Sequence, residues 1–190
     1  MPRAGLSPAA VVDAALRVVD AGGPAALTLA AVAGECGVAT PSLYKHVASL
    51  AELRGRLAAR IVDELTAEVT AAMLGRSGDG ALEALMVAYH AYATRHPHRY
   101  ALVPQRPDPG DAAVTAAGER FLAVVFAVFK GYDLDGDRLV HATRVLRAAM
   151  HGFAVLHTEG AFQLGQDLAE SHRVLIETMK LIRAAAGNAS

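Results

Sequence analysis

Apolar residues recur at helical spacing along nearly the whole chain, and the alternating apolar/polar runs that mark strands are missing. Two Ser/Thr-Pro pairs, Ser7-Pro8 and Thr40-Pro41, each offer a hydroxyl cap followed by proline at a first helical position, where its missing N–H costs nothing. The pattern predicts a first helix over about 8–21, with Val11, Val12, Ala15, Leu16 and Val19 as its apolar stripe, stopped by Gly22-Gly23-Pro24. Thr28 then caps a short helix to about 36, Gly37 turns the chain, and Pro41 opens a third helix ending near 47. A long fourth helix covers about 50–74. The run Gly75-Arg-Ser-Gly-Asp-Gly80 is a flexible break and the expected boundary between functional regions. Beyond it, helices are expected over about 81–95, a short segment at 98–103, and then about 111–130, 136–159 and 167–186. Three prolines and a glycine exclude a helix over Pro104–Gly110.

Composition sharpens this to an all-α fold of about nine helices. Ala and Leu dominate, aromatics make up 5% of the 190 residues, and Trp is absent. The expected organisation is a helix-turn-helix domain over 1–53, a linking helix over 50–74, and a second helical domain over 80–190. The net charge of −1 hides an asymmetry. Arg3, Arg17, Lys45, Arg54, Arg56 and Arg60 stand against Asp13, Asp20, Glu35 and Glu52 in the first sixty residues, a balance of +2 that leaves −3 elsewhere. Any nucleic-acid contact is therefore confined to the N-terminal end. The single cysteine, Cys36, excludes a disulfide framework and fits a small core position in a reducing compartment. No charged-then-apolar leader opens the chain, and charge interrupts the longest apolar stretches short of a bilayer span. A cytoplasmic protein is expected.

Residues 28–47, TLAAVAGECGVATPSLYKHV, carry the most specific signal. Two helices meeting at a tight turn need a small residue at the crossing, which Ala33 supplies, and a residue tolerant of positive φ four positions later, which Gly37 supplies. Leu29, Val32, Val38, Leu43 and Val47 fall where apolar residues would lock the second helix to the first. Leu43 and Val47 are i,i+4 neighbours and share its buried face. Thr40, Pro41, Ser42, Tyr44, Lys45 and His46 are left pointing outward. Hydroxyls, a cation, an imidazole and an aromatic on one exposed face suit a recognition helix in a major groove. Ser42, Lys45 and Thr40 can bond base edges or phosphates; Tyr44, His46 and the Thr28 hydroxyl are placed for the phosphate backbone. Any one of these alone is an ordinary solvent-facing residue; the capped, turn-delimited spacing gives them meaning together.

Other chemistries fit poorly. Asp133-Leu-Asp-Gly-Asp137 has calcium-loop composition, but its glycine is misplaced and Arg144 stands where a bidentate Glu is needed. It reads as a turn with Asp135 capping the next helix. Among eight histidines, His96-Pro-His98 and His151/His157 lack zinc-like ligand sets. No nucleophile elbow, phosphate loop or metalloprotease motif occurs. Neither catalysis, a metal nor a cofactor is expected.

From Ser7 to Leu53 the chain resembles the DNA-binding domain of the tetracycline-repressor (TetR/AcrR) family, carried by Thr28-Leu29, Gly37-Val38, Ser42-Leu43-Tyr44 and His46-Val47. The resemblance implies operator contacts from Thr28, Thr40, Ser42, Tyr44, Lys45 and His46. It also shows a departure. The family often places a lysine at the start of the fourth helix as a phosphate anchor, and here Ser49-Leu50 stand instead. Ser49 can still reach a phosphate, but with a shallower salt dependence, and Arg3 can compensate.

Residues 147–162 resemble the family's Trp-His-Gly (WHG) C-terminal subclass, with Met150 in place of the Trp and His151, Gly152, Gly160 and Phe162 matching. The resemblance implies a homodimer built on the last two long helices, an effector site in the same region and double-stranded operator DNA as partner. Val140, Val145, Leu146, Phe153, Leu168, Val174, Leu175, Met179 and Leu181 supply apolar area for the dimer or for the core of one subunit. Met86, Tyr89, Tyr92, Phe121, Val125, Arg147, Met150 and His151 mix apolar bulk with polar tips as effector sites do. Arg147 and His151, i,i+4 on an apolar helix, point to an acidic ligand if the arginine is buried. The expected function is a ligand-responsive repressor. The competing reading is a helical small-molecule-binding protein whose DNA contact is weak or lost, which salt-sensitive, sequence-selective DNA binding would separate from the first.

Overall fold

The computed structural model describes residues 6–103 and 110–181. Arg3, most of the proline-rich stretch and the expected helical tail at 182–186 lie outside them. Nine α-helices and one 3-10 turn (Pro24–Ala26) occur among the described residues: α1 Pro8–Gly22, α2 Leu29–Glu35, α3 Thr40–Leu43, α4 Leu50–Met73, α5 Gly78–Arg95, α6 Pro97–Tyr100, α7 Ala112–Lys130, α8 Gly136–Thr158 and α9 Leu168–Lys180. They form two compact units. The N-terminal unit holds residues 6–63, 96–103 and 110–118, and the C-terminal unit holds 64–95 and 119–181. This division by packing runs through α4 and α7. The glycine run at 75–80 is a shorter break than the composition suggests, because α5 already begins at Gly78. Asp79 suits the positive end of a helix dipole and accepts the Tyr132 hydroxyl at 2.6 Å.

In the N-terminal unit the helix ends follow local chemistry. Ser7 Oγ accepts the Ala10 N–H at 3.2 Å, and α1 stops at Gly23 (φ +74°), whose N–H bonds the Val19 carbonyl. Val11, Ala14, Ala15, Leu16 and Val19 are its buried face, with Ala14 taking the place expected for Val12. Leu27, Leu43, Val47, Leu53, Leu57 and Ile61 complete the core. Two later segments join this unit. On α6, Arg99 grips both Asp20 carboxylate oxygens at 2.8 and 2.6 Å, and Tyr100 is buried. At the start of α7, Asp111 Oδ1 accepts the N–H groups of Ala113 and Val114, both at 3.1 Å. Gly55 makes room for that cap, since a Cβ there would lie 1.8 Å from Asp111 Oδ2.

The C-terminal unit packs α5, α8 and α9 with the later parts of α4 and α7. Leu82, Leu85, Met86, Tyr92, Phe129 and Leu146 are fully buried. Lys180 on α9 reaches Glu83 on α5 and Glu177 on its own helix, each at 2.8 Å. Asp135 stands at the N-cap of α8, but its carboxylate accepts from Arg138 at 2.8 Å instead of capping an amide. One described helix, α7, is long and apolar enough to cross a membrane by length and composition. The charge expected to interrupt it, Glu119-Arg120, lies mid-helix, and Val114, Ala117, Val125, Val128 and Phe129 are buried within the protein.

Candidate nucleic-acid interface and effector region

The segment 28–47 folds as a helix-turn-helix. Thr28 Oγ1 accepts the Ala31 N–H at 3.1 Å and so fixes where α2 begins. Ala33 is buried where the helices meet. Gly37 has φ +66°, and the turn closes with Val38 N–H to the Ala33 carbonyl at 3.0 Å and Gly37 N–H to Gly34 at 3.0 Å. Cys36 caps α2 half-buried, and burial pushes its thiol pKa up, the opposite of a reactive thiolate.

The recognition segment differs from expectation in two details. Thr40 is not its N-cap. Ala39 occupies that place and its carbonyl accepts the Ser42 N–H at 2.8 Å, so the Thr40 hydroxyl plays no capping part. The α-helix ends at Leu43 and continues to His46 as a turn, held by the Leu43 carbonyl through the N–H groups of His46 and Val47 at 2.8 and 3.0 Å. So short a helix draws its stability from packing, here from Leu43 and Val47 in the core. Around that anchor Pro41, Tyr44 and Lys45 are exposed, Tyr44 by 56%, while Thr40, Ser42 and His46 are half-buried. Ser49 is exposed and caps α4. Its Oγ accepts the Glu52 N–H at 3.0 Å, and Glu52 reaches back to the Ala48 N–H at 2.6 Å, a reciprocal cap that holds the Glu52 carboxyl below its usual range. The Ser49 oxygen is thus committed to the helix, leaving its hydrogen for a phosphate.

Ion pairing sorts the cations of this unit. Arg17 holds Glu35 at 2.6 Å, Arg56 holds Glu52 at 2.5 Å, and Arg60 lies 3.9 Å from Asp13. Lys45 and Arg54 are exposed and take part in no ion pair or hydrogen bond among the described residues. The bulk charge of the region gave no hint of which cations were uncommitted.

The candidate effector residues divide differently. Met86, Tyr89, Tyr92, Val125 and Met150 are buried in the C-terminal unit, and Phe121 is half-buried with its ring 6.0 Å from that of Tyr89. Tyr92 bonds Glu64 at 3.3 Å. Arg147 is exposed, which removes the argument from a buried arginine to an acidic ligand. Its stem is long enough to keep the guanidinium in water. His151 is half-buried, and burial, then the charge of Arg147, lowers its pKa. The described open groove lined by Val12, Arg56, Arg60, Asp63 and Ala113 belongs to the N-terminal unit instead. Of the apolar residues expected at the dimer surface, Leu146 and Met179 are buried within the subunit, while Val140, Val145, Val174 and Leu181 are exposed.

A cluster that the sequence did not reveal joins three helices of the C-terminal unit. His90 Nε2 on α5 lies 2.8 Å from His157 Nδ1 on α8, and the His90 ring sits 4.3 Å from that of His172 on α9. The three are far apart in sequence and share no spacing that could have announced them.

An all-helical chain with a helix-turn-helix at its N-terminal end and an exposed polar recognition segment defines a DNA-binding regulator. The comparisons with known proteins agree. Residues 11–56 match the model of bacterial regulatory proteins of the tetR family, and residues 82–179 match the tetracyclin repressor-like C-terminal domain. An uncharacterized HTH-type transcriptional regulator of Mycobacterium tuberculosis, Rv0681, is 37% identical over 82% of this chain and 72% of its own. Another of Bacillus subtilis, YobS, is 32% identical over 93% and 92%. Apo ActR from Streptomyces coelicolor shares the fold, with a TM-score of 0.74 at 19% identity over 98% of this chain and 99% of that one. The chain belongs to the tetracycline-repressor family of helix-turn-helix transcriptional regulators.

Proposed function

We propose that two copies of the chain bind a palindromic operator as a dimer and that a small-molecule effector releases them, making the protein a ligand-responsive repressor. The observation that carries this reading is the recognition segment. Leu43 and Val47 are buried beneath it, while Pro41, Tyr44 and an unpaired Lys45 remain at the surface. Thr28, Thr40, Ser42, Tyr44, Lys45, His46 and Ser49 contact the DNA, with Pro41 against the groove and Arg54 adding a phosphate contact. Dimerisation sets two recognition segments about 34–36 Å apart, one helical turn of DNA. On α8, Val145, Ala148, Gly152 and Leu156 share a face at helical spacing, and on α9 Val174 and Leu181 are exposed; these supply the partner surface. Met86, Tyr89, Phe121, Val125, Met150 and His151 surround the effector, and α4, which contributes to both compact units, carries the response. The effector must bind the two states with different affinity, or nothing switches.

The test is a fluorescence-anisotropy titration against the DNA flanking the protein's own gene and against a shuffled duplex, at two salt concentrations. Selective, salt-sensitive binding at two chains per duplex is expected, and Tyr44→Ala should lose it while sedimenting as a dimer. Normal operator binding by that variant would remove α3 from the interface. Equal binding to both duplexes would favour a small-molecule-binding protein without operator recognition.

A further inference from the structure

We propose that His90, His157 and His172 form a proton-sensitive latch that holds α5, α8 and α9 together only while its imidazoles are neutral, so that acidification is itself a signal to this regulator. The proposal rests on the dimeric-repressor reading for its consequence on DNA, but not for the latch itself.

The geometry is that of a shared neutral site. His90 Nε2 and His157 Nδ1 are 2.8 Å apart, so one ring donates and the other accepts. The ring of His157 stacks 5.0 Å from His90, and that of His172 lies 4.3 Å away on the third helix. Phe153 packs 5.4 Å from His90 and 5.1 Å from His172, and Phe162 lies 5.1 Å from Phe153, which closes one side of the cluster with apolar rings. Among the described residues no carboxylate takes part. The charges that bear on His90 are those of His172 and His157. Several of the other charged groups on these helices are engaged elsewhere: Glu83 and Glu177 with Lys180, Glu170 with Arg173, Arg95 with Glu68, Asp79 with the Tyr132 hydroxyl, Arg138 with Asp135, and Arg147 bearing on His151. A proton added here meets like charge and a half-buried apolar wall with no counter-ion.

Burial, then the neighbouring imidazoles, push His90 down to about 4, and burial followed by His157 lowers His172. The sign follows. An unfolded chain binds a proton on the His90 ring near pH 6.5, whereas in the folded cluster that ring resists it until the pH nears 4. The latch is therefore complete above about pH 6.5, and its contribution is lost as pH falls from there toward 4. His90 and His172 are in ring contact and titrate as one coupled unit, so the transition belongs to the pair and not to a single ring.

The test measures thermal unfolding of the whole protein with a chelator present, at pH 7.5 and pH 5.0, for wild type, His90→Gln and His172→Gln. Wild type should lose about 3–6 °C over that interval, and each variant should lose at most half as much, because fewer rings remain to be charged. Operator affinity relative to the same variants should fall at least about fivefold at pH 5.0 in wild type, a comparison that cancels any pH effect arising at the DNA-contacting residues themselves. Identical pH dependence of unfolding in wild type and in whichever variant folds would overturn the latch. A latch intact in unfolding with unchanged relative operator affinity would overturn its role as a signal. Absence of operator binding at both pH values would sink the repressor reading and leave the unfolding result to judge the latch.

Discussion

The two compact units use polar side chains in opposite ways. In the N-terminal unit the charged groups lie at the surface and pair off, Arg17 with Glu35, Arg56 with Glu52 and Arg99 with Asp20, so that among the described residues Lys45 and Arg54 stay available for a polyanion. In the C-terminal unit the distinctive polar groups are imidazoles drawn between helices, with aromatic neighbours and, among the described residues, no carboxylate. A surface that recognises DNA needs its cations uncommitted and its backbone fixed beforehand. A region that transmits a signal needs groups whose state depends on how its helices pack. The first is built by what the core leaves over, the second by what the core takes in.

The largest effect expected from breaking this contrast is at Leu43. It is fully buried beneath a four-residue helix that has no side-chain cap, so packing is nearly all that holds the recognition segment. Leu43→Ala should cost about 2–5 kcal/mol and abolish operator binding. Hydrogen exchange should show protection lost over residues 29–47 while the buried amides around Leu82, Leu85 and Leu146 exchange as before. Wild-type protection over 29–47 would mean that something other than the core holds α3.

A second experiment probes how α7 is attached to the N-terminal unit. Gly55→Ala places a methyl where Asp111 Oδ2 lies, and should destabilise by about 1–3 kcal/mol. Asp111→Ala alone loses a helix cap at a cost of about 1 kcal/mol. In the Asp111→Ala background the sign should reverse, because alanine is better than glycine inside a helix by up to about 1 kcal/mol once the obstacle is gone. Chemical denaturation of the four proteins reads this directly. Additive effects would show that the two residues do not meet.

These predictions also mark what was legible in the sequence. The helices and their starts were, because Ser7, Thr28 and Pro41 act on neighbours within a turn, and Gly37 is required by the φ of its own backbone. The exposure of Pro41, Tyr44 and Lys45 was legible for the same reason: a short buried Leu43/Val47 face dictates what remains outside. The attachment of α6 and the start of α7 was not. Asp20 with Arg99 and Gly55 with Asp111 tie α6 and the start of α7 to the N-terminal unit through pairs separated by most of a domain in sequence. Arg147 was misread because an apolar helical context does not say whether a long side chain runs along the surface. The histidine cluster was invisible, as three helices bring together residues with no common period.

Smaller effects are expected from the unpaired cations. Arg54 is exposed one turn into α4, the helix that Ser49 caps. Arg54→Gln should reduce the salt slope of operator binding by about 1 per subunit and weaken all DNA sequences alike. Arg56→Gln, whose partner is already Glu52, should leave the slope nearly unchanged. Equal slopes for Arg54→Gln and wild type would exclude Arg54 from the phosphate contact.

The smallest expected effect concerns the tether between α1 and α6. The Arg99 guanidinium bonded to Asp20 holds that carboxyl below its usual range, against the opposing pull of burial. The Asp20 side chain is 40% exposed and that of Arg99 20%, so solvent screening keeps the contribution below about 1 kcal/mol. A depressed carboxylate stabilises the fold above its unfolded pKa, near 3.9, and that contribution is lost as pH falls through the folded value. Asp20→Asn should therefore unfold at a slightly lower temperature than wild type at pH 7, with the difference closing below about pH 4. The histidine latch would be present in both proteins and cancels from the comparison. A difference that persists unchanged to pH 2.5 would show that Asp20 acts through its shape or its backbone carbonyl, which His98 Nδ1 meets at 3.2 Å, and not through charge.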